Sequence, residues 1–260
     1  MDENEQNVEP VAPSAAAKPV EEPQMSELAM IGNVFIEPGS VFEDQRRKPR
    51  FIIGGLLMIL CISAFQILFV EKFGLTNIVK ARIEHSTRTA DLDPDQKAKI
   101  IEQQAGTIAK VFTYAIVPVA MIVTFLIGGL VYWLLGNAMG GSGTFWQGVS
   151  VWVYSSIPPT IVFTVGNILV MFLKDPDTID LGTAQGGLLK ASLAAFLDPK
   201  TMPMLSAVLS AFDLFAIWGW ILAAIGLQRV AKISSGAAWA AVAIVGVLGI
   251  VPKIIASLFF

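Results

Sequence analysis

Catalytic raw material is scarce in this chain of 260 residues. It has one cysteine, Cys61, and one histidine, His85. A single thiol allows no disulfide within the chain and leaves the redox compartment open. His85 has no cysteine or second histidine to share a metal, so it reads as a solvated loop side chain. Charge is sparse as well: Asp, Glu, Lys and Arg make up 15% of the residues, where soluble domains carry about a quarter. No basic stripe of the kind that tracks nucleic acid is present, so the sequence points to no nucleic-acid partner. Paired carboxylates, a Ser–His arrangement and a metal set are all missing, and the chain reads as non-enzymatic with no cofactor. Residues 136–143 are rich in glycine, but no Gly-Lys-Ser/Thr follows, which excludes a phosphate loop.

What the chain does have is long apolar runs. They cover residues 51–70, 111–135, 149–173, 205–227 and 237–259, and only Asp213 and Lys253 bring charge into them. A helix needs about 20 such residues to cross a bilayer core of about 30 Å. The expected fold class is therefore all-α: a polytopic membrane protein with five transmembrane helices. The chain opens acidic, Met1-Asp2-Glu3-Asn4-Glu5, where a cleavable signal needs a positive start and an apolar core. The first run is expected to serve as an internal insertion signal.

Residues 1–25 are rich in Glu, Pro and Ala and carry too little apolar surface to offset ordering entropy, so they read as a disordered acidic tail. Residues 26–260 form the membrane domain. In its first segment Leu28, Ile31, Val34 and Phe35 recur at helical spacing, and Glu37-Pro38-Gly39 ends the pattern. Ser40 and Glu43 have capping-box spacing and predict the start of a second helix. Two amphipathic helices lying on the membrane face are expected here.

The basic cluster Arg46, Arg47, Lys48 and Arg50 follows directly before the first run. It is a topological stop, and a candidate lipid-facing site for anionic head groups. Basic residues beside a span favour the cytoplasmic side. Five spans then put the N-terminus in the cytoplasm and the C-terminus outside. The loop with Arg229 and Lys232 falls inside; the long loop of residues 71–110 falls outside, although it carries seven mixed-in basic residues. That loop reads as a helical hairpin, with Asp93, Pro94 and Gln96 starting its second arm. Residues 174–204 form the second outer loop, bracketed by Asp175-Pro176 and Asp198-Pro199 as turns. Its apolar stretch 187–197 is too short to span and is expected to be an interfacial or re-entrant helix.

Within the membrane the informative residues are polar. Ser156, Thr160, Thr164 and Asn167 share one arc of the third span, which Pro158-Pro159 interrupts. In the fourth span Ser206, Ser210 and Asp213 share a face, followed by a small-residue strip of Ala216, Gly219, Ala223 and Gly226 suited to close helix packing. Asp213, Lys253, Asn167 and Gln66 all fall in the outer half of the bilayer. They form the candidate intramembrane cluster, with an Asp213–Lys253 ion pair as its economical arrangement; Lys253 snorkelling outward and Asp213 capping a helix are the alternatives.

Three segments in order carry a resemblance. They are Ile31-Gly32-Asn33-Val34-Phe35-Ile36-Glu37-Pro38, then Gly140-Gly141-Ser142-Gly143-Thr144-Phe145 with Val151-Trp152-Val153-Tyr154-Ser155-Ser156-Ile157-Pro158, then Phe212-Asp213-Leu214-Phe215-Ala216-Ile217-Trp218. Over residues 26–258 the chain resembles the Yip-domain (Ypt-interacting protein) family, its prokaryotic branch most of all. The resemblance implies five spans, a cytoplasmic N-terminus and an outside C-terminus. Eukaryotic relatives associate with prenylated small GTPases. Their signature Asp-Leu-Tyr-Gly-Pro before the first span is missing here, so GTPase binding is not transferred. The functional expectation is a membrane scaffold or adaptor of the cell (inner) membrane, whose partners are the lipid bilayer, other membrane proteins or a second copy. The alternative is a small transporter or channel built on the Asp213 cluster. Against it, five spans do not divide into inverted repeats.

Overall fold

The structure, a computed structural model, describes residues 22–184, 187–197 and 201–259. Most of the acidic tail and the Asp198-Pro199 turn lie outside the described residues. Ten α-helices are present among them: α1 (Glu27–Asn33), α2 (Pro38–Arg47), α3 (Ile52–Phe73), α4 (Leu75–His85), α5 (Pro94–Ala105), α6 (Thr107–Ala138), α7 (Phe145–Leu173), α8 (Pro203–Leu209), α9 (Leu214–Val230) and α10 (Ser235–Phe259). Helices α3, α6 and α7 are each long and apolar enough to cross a membrane. Helix α9 and the Ser235–Val251 part of α10 are shorter apolar segments. The chain is an all-α polytopic membrane protein. The apolar side chains on the outside of the bundle, among them Leu56, Leu60, Ile122 and Ile127, are exposed, as lipid-facing positions must be.

Helix α7 is the centre of the bundle and packs against α3, α6 and α9. Its Val149, Val151, Val153, Tyr154 and Ile157 are fully buried. Without a hydrophobic drive between helices in lipid, association depends on close van der Waals packing. Glycine supplies that closeness where α6 crosses α7. A Cβ on Gly129 would lie 2.4 Å from Val149 Cγ2 and 2.7 Å from its backbone nitrogen, and one on Gly148 would lie 2.3 Å from the Gly129 carbonyl oxygen.

The helices alternate in direction, which gives the bundle two ends. The proximal end carries α1, α2 and the two tight turns after α6 and α9. These turns touch, with Ser142 N–H donating to the Ala231 carbonyl at 3.1 Å. The distal end carries the α4–α5 hairpin and the segment between α7 and α9. Helix α2 does not merely rest on the bundle. Its Phe42 is fully buried against Gly226 of α9, where a Cβ would meet the Phe42 ring at 3.0 Å.

Three local expectations are corrected. Helix α2 begins at Pro38 and its cap residue is Glu37. Ser40 donates its hydroxyl back to the Glu37 carbonyl at 2.8 Å and Glu43 pairs with Arg46, so the Ser40–Glu43 box does not form. Proline at the first helical position set the start instead. The stretch 187–197 is not an α-helix: it is irregular, with a single 3-10 turn at Leu193–Phe196. Gly187, at φ +99°, takes a conformation no helix allows. The run 205–227 is divided, with α8 ending at Leu209 and α9 starting at Leu214. The hairpin of the 71–110 loop forms as expected, Asp93 and Gln96 making a full capping box. Gly106, in an extended conformation, separates α5 from α6.

Candidate functional site

At the proximal end the basic cluster meets an acid the sequence reading passed over. Asp44 is 1% exposed. Its carboxylate pairs with Arg50, lies 3.6 Å from Arg47 and accepts the backbone N–H groups of Gln24 at 2.6 Å and Met25 at 3.3 Å. A buried charge is tolerated only when paired and hydrogen-bonded in this way. Beside it the fully buried Gln45 accepts from Arg50 N–H at 2.7 Å and donates to the Arg50 carbonyl at 2.6 Å. Arg46 pairs with Glu43, and its carbonyl accepts from Gln147 of α7 at 2.7 Å. Of the four basic residues, Lys48 is the exposed one. The cluster is thus mainly an internal fastening that ties α1 and α2 to the base of α3 and α7. Gln147 also closes a capping box with Thr144. The Thr144-x-x-Gln147 spacing was the sequence signal for it. Asp44 had no such signal, because its role depends on residues at other chain positions.

Of the four intramembrane candidates, Asp213, Asn167 and Gln66 stand at three separate places. Asp213 is the N-cap of α9: its carboxylate accepts the N–H groups of Phe215 at 2.7 Å and Ala216 at 3.0 Å. It lines a cavity of about 340 Å³ together with Ser155, Ser156 and Thr160 of α7. The wall of this cavity includes Pro159, and a proline without an N–H leaves the Ser155 carbonyl free of its helical donor. Gly219 of α9 faces this bared stretch, and a Cβ there would lie 3.7 Å from the Ser155 oxygen. Ser155 and Ser156 donate to the Trp152 carbonyl.

Asn167 works elsewhere. It is fully buried, donates to the Phe163 carbonyl at 2.7 Å and accepts the N–H groups of Leu188 at 2.5 Å and Leu189 at 3.1 Å. It clamps the distal segment onto α7. Gln66 lines a different and larger cavity between α3 and α6. The Lys253 side chain lies outside the described residues. His85 docks on the distal segment, its Nε2 3.4 Å from Asp180 and its ring over Gly182. Near it, Lys190 donates to the Thr183 carbonyl at 2.8 Å, and burial pushes its amine below the ordinary lysine value. No cluster of three or more His, Cys, Asp or Glu able to hold a metal occurs among the described residues.

The Yip1 domain matches residues 32–255 of the chain. The membrane protein YknW of Bacillus subtilis (strain 168) is 26% identical over 245 residues, covering 94% of this chain and 93% of that protein. No solved structure matches.

Proposed function

This chain belongs to the Yip1-domain family, and from that premise we propose that it is a non-enzymatic multi-pass scaffold or adaptor of the cell (inner) membrane. The observation that carries this reading is the local pairing of the polar groups at Asp213, Ser155, Ser156 and Asn167. Ser155, Ser156 and Asn167 each bond to a carbonyl of their own helix, and Asp213 bonds to the first turn of α9. Polar groups committed to neighbours in this way stiffen helices instead of lining a path. The fastened proximal face offers a surface for partners, with Leu28, Ile36 and Trp146 exposed on it. Arg46, Arg47, Lys48 and Arg50 together with Arg229 and Lys232 support a cytoplasmic position for it. The C-terminus is then outside.

A transporter is the second reading, favoured by the Asp213 cavity. Water accessibility separates the two. In a Cys61→Ala background, single cysteines along residues 152–167 and 206–220 are tested for labelling from each side of the membrane. Labelling confined to the ends of the helices is the scaffold outcome. A continuous labelled stripe through Ser156, Thr160 and Asp213 overturns it in favour of transport.

A further inference from the structure

A cavity of about 900 Å³ is at the distal end, bounded by α3, α4, α5, α6 and the segment after α7. Ligand sites typically occupy about 300–1,000 Å³, mostly apolar with a few converging polar groups. This one fits that description. Phe65 and Phe69 of α3 and Phe112 and Ile116 of α6 form apolar walls. Phe112 is 68% exposed and Ile116 57%, so the cavity is open sideways through the face that α6 turns to lipid. Its polar groups are Gln66, Arg82, Gln103 and Gln104, besides Thr113, whose hydroxyl donates to the Ala109 carbonyl of its own helix. None of these four side chains has a hydrogen-bond or ion-pair partner among the described residues. Arg82 is the one charged group among the described residues that line it.

We infer that this cavity binds one anionic phospholipid taken laterally from the adjoining leaflet. An aqueous solute would have no use for a side opening onto hydrocarbon, and an apolar void left empty forfeits the contacts its walls would otherwise make. An acyl chain entering between α3 and α6 supplies those contacts. The phosphate then meets Arg82, with the Gln103 and Gln104 carboxamides donating beside it, as basic pockets between helices do for anionic head groups. Gln66, deeper in α3, is placed to donate to a glycerol ester. An unpartnered amide in an apolar wall is costly, and the lipid removes that cost. The site is separate from the Asp213 cavity and independent of the scaffold reading.

Native mass spectrometry of the full chain in a neutral detergent tests this, with phosphatidylglycerol, phosphatidylcholine of the same chains, and oleate as probes. One phosphatidylglycerol is expected per chain, preferred over phosphatidylcholine by roughly fivefold to tenfold, the weight of one basic group at a head group. Arg82→Gln should remove the preference and keep residual binding. Ile116→Trp, at an exposed wall position, should fill the cavity and abolish binding while helical content by circular dichroism stays unchanged. Equal binding of the two phospholipids, or a preference that survives Ile116→Trp, overturns the site. Arg82-dependent binding of oleate without phosphatidylglycerol overturns the phospholipid assignment.

Discussion

At the scale of single residues the bundle depends on where a side chain is missing. Gly129→Ala would place a methyl group within 2.7 Å of the Val149 backbone, and neither helix can yield without moving. Overpacking of this kind costs about 3 kcal/mol, to be read as a lower melting temperature in detergent. Gly249→Ala, which meets nothing within 4 Å and puts the better helix former inside α10, should not lower the melt; an equal loss from the two changes would contradict the crossing. Lys190 gives a pH-dependent counterpart. Partial desolvation disfavours its charged form and outweighs the pull of Asp180, so the folded chain binds this proton less readily than the unfolded one. The distal segment therefore gains stability as pH rises from Lys190's folded value toward the ordinary lysine value. Competitive acylation read by mass spectrometry should place the Lys190 titration midpoint below that of a free lysine, and a midpoint at or above it would refute the desolvation.

Among elements, the division between α8 and α9 is the one the sequence hid. All five apolar runs were legible because length and the near-absence of charge suffice to identify them. The break at residues 210–213 was not, because Asp213 inside an apolar run reads first as an intramembrane charge. Its bonds to Phe215 and Ala216 show a cap, one of the alternatives its position had left open. Asparagine caps about as well as aspartate, whereas an apolar residue costs about 1 kcal/mol. Asp213→Asn should melt within about 0.5 kcal/mol of the parent and Asp213→Leu about 1 kcal/mol below it. A large loss with asparagine would point to a need for charge beyond the cap. The irregular stretch 187–197 was misread for a related reason. Its apolar content mimics a helix, while its backbone is satisfied by the side chain of Asn167, some 20 residues earlier.

The whole molecule is organised around fastenings that join distant parts of the chain. No periodicity reveals that Phe42 seats against Gly226 or that Asp44 holds Arg50 and the backbone at Gln24. Both are visible only once α2 is seen packed on α7 and α9. Removing one partner of a buried pair leaves the other charge uncompensated. Asp44→Ala should therefore cost about 3 kcal/mol and expose residues 22–47 to protease while the long helices stay protected. Unchanged protection of that segment would show that Asp44 does not hold it. The same contact has a consequence for biosynthesis. Gln147, which holds the Arg46 carbonyl, is 101 residues downstream. At about 5–20 residues per second the ribosome needs roughly 5–20 s to deliver it. During that interval α2 lacks its seat on α7 and α9, and its apolar face is left to the bilayer, which must shelter it at least until the third span has been inserted.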